Sequence, residues 1–90
     1  MTEQEMKLRA RLYAMEHVLT NTMAILYLLC GFTREQIVEG HQATFEGLSK
    51  ETLPGADPAQ ADMWMDELQQ AVASLQSQAL QSWEEKRREN

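Results

Sequence analysis

The sequence predicts an all-α protein: a three-helix bundle with long first and third helices and a shorter second helix, completed by dimerisation. Three observations predict it. Apolar residues recur in alternating steps of four and three along two long stretches, the spacing of a helix packed along its length against other helices. Glycine and proline number only four and two, while the good helix formers Ala, Leu, Met, Glu and Gln dominate. Hydrophobic residues make up 43% of a 90-residue chain, and one stretch is apolar on every side, more than three short partners can cover.

The first helix opens at Thr2, an N-cap with Glu5 at capping-box distance. From there Leu8, Leu12, Met15, Leu19, Leu26 and Leu29 follow the four–three rhythm, with Thr22 filling the gap. Val18 and Ile25 form a second stripe beside it. Over residues 23–30 the helix is apolar all round, until Gly31 supplies a left-handed stop.

Thr33 caps the second helix, with Gln36 again three residues on. Ile37, His41, Phe45 and Leu48, supported by Val38, mark its apolar face. Gly40 and Gly47 each cost it about 1 kcal/mol relative to alanine, so packing has to hold it. Asp57-Pro58 starts the third helix, an acceptor followed by a proline that needs no amide partner. Ala61, Met65, Leu68, Val72, Leu75 and Ala79 repeat the rhythm, broadened by Trp64, Ala71, Leu80 and Trp83. The charged tail from Glu84 to Asn90 is expected to fray. The chain thus reads as a single domain, 1–90, with helices over about 3–30, 34–50 and 58–86.

At about 1.5 Å per residue the outer helices are some 40–45 Å long and the middle one about 25 Å. In an up-down-up arrangement the third helix overshoots the first, leaving Leu80 and Trp83 without local cover. Met6 and Leu8 overhang at the other end. Uncovered apolar ends favour pairing with a second copy, since closed two-fold dimers are the commonest oligomers. The interface candidates are Leu8, Leu12, Leu26, Tyr27, Leu29, Trp64, Leu80 and Trp83. The two tryptophans rank high because each joins a large apolar area to a polar N–H.

Composition removes several function classes. A net charge of −6 disfavours a nucleic-acid binder, which needs a positive field. The most apolar run, 18–32, is too short and too polar to span a membrane, with Thr20, Asn21 and Thr22 inside it. A signal peptide is disfavoured as well, because Glu3 and Glu5 dilute the basic start and Glu16 and His17 interrupt the apolar region. One cysteine allows no internal disulfide, which fits a reducing compartment and a cytoplasmic location.

Candidate chemistry has bland readings on each count. Cys30 lies at a helix C-terminus in the most apolar stretch, where the dipole opposes a thiolate, so it reads as a buried, inert thiol. His17 and His41 lack the Glu-x-x-His or His-x-x-x-His spacing of a metal site in a bundle; a boundary histidine bonded to a neighbour is the expectation. Asp62 and Asp66, one turn apart, complement a helix N-terminus. The six methionines read as core more than as an adaptable groove.

Residues 31–37 (Gly-Phe-Thr-Arg-Glu-Gln-Ile) resemble the entry to a helix-turn-helix unit and the first loop of ubiquitin-associated domains. Glu39-Gly40-His41-Gln42 does not go on to supply a tight turn and recognition helix, and the second apolar face runs longer than a ubiquitin-associated helix. Helix capping accounts for the segment.

The resulting expectation is a non-enzymatic, cofactor-free helical interaction or regulatory module. It acts as a homodimer and engages a further protein of unknown identity. A second reading is a small acidic inhibitor or nucleic-acid mimic presenting Glu35, Glu39, Glu46, Glu51, Asp62 and Asp66 to a basic partner. A dimeric DNA-binding regulator comes third.

Overall fold

A computed structural model describes residues 1–50 and 54–89 of the chain. Three α-helices account for nearly all of it: α1 (Glu3–Leu29), α2 (Arg34–Gly47) and α3 (Pro58–Glu89), with a 3-10 turn at Leu48–Lys50. No strand occurs among the described residues. Glu51, named above among the acidic residues, lies outside them.

The predicted punctuation is where the helices begin. Thr2 Oγ1 accepts from the Glu5 amide at 3.1 Å, satisfying one of the free donors of the first turn of α1. Thr33 and Gln36 form a reciprocal capping box, with bonds of 3.2 and 2.9 Å. Asp57 and Gln60 make the same pair of bonds at the start of α3, 2.8 and 3.3 Å. Gly31 takes φ +69°. Around it the Phe32 amide bonds the Tyr27 carbonyl and the Gly31 amide bonds that of Leu28, both at 3.1 Å. These two bonds close the end of α1 as a Schellman motif.

Where fraying was expected, α3 is helical through the charged residues 84–89. Lys86, Arg87 and Arg88 occupy its last turn, where cations complement the dipole. The Arg87 guanidinium lies 5.2 Å from the Trp83 ring centre, and Arg34 Nε reaches Glu84 Oε1 at 3.1 Å, tying α3 to the start of α2.

The packing departs from a closed bundle. The molecule measures 48 × 35 × 14 Å with a radius of gyration of 15.8 Å, against about 12 Å for a compact domain of this length. Both α1 and α2 pack on α3, and have little direct contact with each other. Residues 1–19 are exposed throughout, so α3 covers only the C-terminal third of α1. The buried core is correspondingly small: Ala24 and Ala79 at 0% exposure, Ile37 and Trp83 at 2%. Tyr27, Leu28 and Leu80 pack around it.

This corrects the position of the overhang. Trp83, expected to stand uncovered beyond α1, is buried in the core, and Leu80 packs against that core. The C-terminal end of α3 meets the C-terminal end of α1, so the uncovered length falls on the N-terminal half of α1. There Met6 and Leu8 are exposed, as expected.

Candidate interaction surface

Helix α1 carries two apolar faces, and the protomer uses one. Thr20, Ala24, Tyr27 and Leu28 turn toward the core. Ala24, at 0% exposure, is fully buried in a cluster with Ile37 and Trp83. Thr20 is 5% exposed, yet its hydroxyl donates to the Glu16 carbonyl (2.9 Å) and lies 3.2 Å from that of His17. Its burial therefore leaves no polar group unmet.

At 100° per residue, the four–three seam lies on the opposite side of the helix. Its members remain outside: Leu8 at 58%, Leu12 46%, Met15 59%, Leu19 48%, Leu26 52% and Leu29 79% exposed. Val18 (63%) and Ile25 (42%) widen it. Thr22, the polar member, donates its hydroxyl to the Val18 carbonyl at 2.8 Å, so the position can be desolvated at little cost. Within the seam Met15, Val18, Leu19 and Thr22 surround a shallow depression bordered by Ala14. The strip is a contiguous apolar patch on the protomer's surface.

Four of the residues expected at an interface (Leu8, Leu12, Leu26 and Leu29) therefore share one exposed face. Tyr27 and Leu80 are half-buried around the core, Trp64 is half-buried on α3, and Trp83 is enclosed. The candidate set omitted Met15, Val18, Leu19 and Ile25, although the same spacing that identified the leucines places them beside those residues. Cys30, expected to be buried, is exposed; as the C-cap it sits past the last turn that α3 covers.

Between the helices lies an open groove of about 450 Å³, walled by Met23 and Tyr27 of α1, Ile37 and His41 of α2, and Val72 and Leu75 of α3. Its polar groups are paired. Tyr27 Oη and His41 Nε2 are 2.8 Å apart, and Gln76 Nε2 donates to the His41 carbonyl at 2.9 Å. Burial raises the pKa of Tyr27 and lowers that of His41, so the neutral form of each is favoured. His41 is thus a boundary histidine held by a neighbour. Trp83 Nε1 is buried with no hydrogen-bond partner.

No group of three or more His, Cys, Asp or Glu side chains converges as a metal site requires, among the described residues. No helix among them is long and apolar enough to cross a membrane. Neither a family model, nor a curated protein, nor a solved structure matches the chain.

Proposed function

We propose that this chain is a non-enzymatic helical interaction module that works as a homodimer. One observation carries the reading: α1 buries its small-residue face and leaves an apolar seam of three heptads uncovered on the other side. A strip of leucines exposed to water is unfavourable by about 25 cal/mol per Å², and a second helix laid along it removes that cost. The single cysteine is in keeping with the cytoplasm as its location.

Sedimentation equilibrium over a hundredfold range of concentration around 1 μM tests it. A species of twice the 10.3 kDa chain mass is expected, and Leu12→Asp, at an exposed seam position outside the interhelical groove, should shift it toward monomer while leaving helicity unchanged. A strictly monomeric wild-type chain throughout the range overturns the reading.

A second reading draws on the acidic surface. Glu35, Glu39, Glu46, Asp62 and Asp66 are all exposed, and none belongs to the ion pairs Lys7–Glu3 and Arg34–Glu84. A module that captures a basic partner through them would lose affinity steeply with salt, whereas capture through the seam would survive it.

A further inference from the structure

We infer that the occupant of the α1 seam is α1 of a second copy, lying parallel and in register; this rests on the dimer reading above and specifies its geometry. Four features of the seam support it. Leu12, Leu19 and Leu26 hold the first apolar position of successive heptads; Leu8, Met15, Thr22 and Leu29 hold the second. The 22 residues from Leu8 to Leu29 span about 32 Å and reach the three heptads at which such a pattern argues for a coiled coil.

The depression bounded by Met15, Val18, Leu19 and Thr22 has the i, i+3, i+4, i+7 outline of a hole for one incoming knob. In a parallel pair the knob facing it is the partner's Leu19. Leu19 is thus both one wall of the hole and, from the partner, the residue that fills it, as two-fold symmetry requires.

Flanking charge selects the direction. In a parallel pair the residue preceding each first apolar position faces the residue five places later on the partner. Arg11 then meets the partner's Glu16, and symmetry makes the pair twice. Both side chains are exposed, and neither belongs to the protomer's own ion pairs. The next two such contacts set Val18 against the partner's Met23 and Ile25 against the partner's Cys30, so the apolar strip widens toward the turn.

An antiparallel pair fits less well. Covering the seam from Leu8 to Leu26 centres it on His17 and brings Glu16 toward the partner's Glu16, a like-charge contact. Moving the centre to residues 20–21 relieves that contact but leaves Leu8 facing nothing beyond the end of α1.

Leu8→Cys in a Cys30→Ala background decides the direction under mild oxidation, with circular dichroism to confirm that the exposed substitutions leave helicity intact. Most of the chain is expected to run as a disulfide-linked dimer. Arg11→Glu and Glu16→Arg should each weaken the dimer about tenfold, and an equimolar mixture of the two variants should recover wild-type association, because each heterodimer restores both pairs. A chain that is dimeric by mass, yet whose Leu8→Cys form cross-links only when mixed with Leu26→Cys, overturns the parallel arrangement and leaves the dimer standing. A dimer that cross-links in neither experiment likewise overturns the parallel, in-register arrangement. A chain monomeric at every concentration overturns both proposals.

Discussion

Tyr27 Oη and His41 Nε2 meet at 2.8 Å across the groove between α1 and α2, two helices that otherwise have little direct contact. The Tyr27 ring also packs on Phe32, 6.1 Å between centroids, and on the His41 ring at 5.7 Å. One tyrosine therefore links α1 to α2 and to the turn between them. Burial favours the neutral form of the His41 imidazole.

A pH dependence follows from that burial. The folded-state pKa of His41 lies below its ordinary value near 6.5, so on acidification the unfolded chain takes up the proton first. Stability associated with His41 is fully present above the unfolded pKa and is lost as pH falls through the folded one. Urea unfolding is expected to show lower stability at pH 5.5 than at pH 7.5. His41→Gln, which retains a hydrogen-bonding group but does not titrate, should reduce the difference between the two pH values. An unchanged difference would assign it to another group.

Trp83 is a core residue, and its replacement should act on folding within the protomer. Trp83→Ala is expected to cost about 3–5 kcal/mol, a large part of the total for a small domain. Trp83→Phe keeps the ring and removes an indole N–H that is buried without a partner, so its cost should stay under about 1.5 kcal/mol. Denaturant titrations at one fixed protein concentration compare the two, since any self-association makes stability concentration-dependent. Equal losses for both variants would mean that the N–H has a partner in solution.

Ala24 sits at 0% exposure where α1 meets α3. Ala24→Leu adds volume with no space to receive it and should destabilise by about 1–3 kcal/mol. Ile25→Leu, next in sequence but exposed, should change stability by less than about 0.5 kcal/mol. Thermal melts of the two variants distinguish the faces. A tolerated leucine at position 24 would show that the helices are not in close contact there.

Local chemistry was fully legible in the sequence. Thr2, Thr33 and Asp57 begin the helices as their side chains require, and Gly31 ends the first. These are interactions between residues a few positions apart, which need no tertiary context. The four–three periodicity of α1 was equally clear, and it correctly marked one continuous apolar face. What it could not show was which face of α1 turns inward. Around residues 23–30 the helix is apolar on every side, so hydropathy does not separate the leucine seam from the face holding Thr20 and Ala24. Tertiary packing made that choice. Ala24 is fully buried in the cluster with Trp83 and Ile37, while the leucines of the seam are left on the outside. That same choice enclosed Trp83, exposed Cys30, and left the whole seam on the protomer's surface.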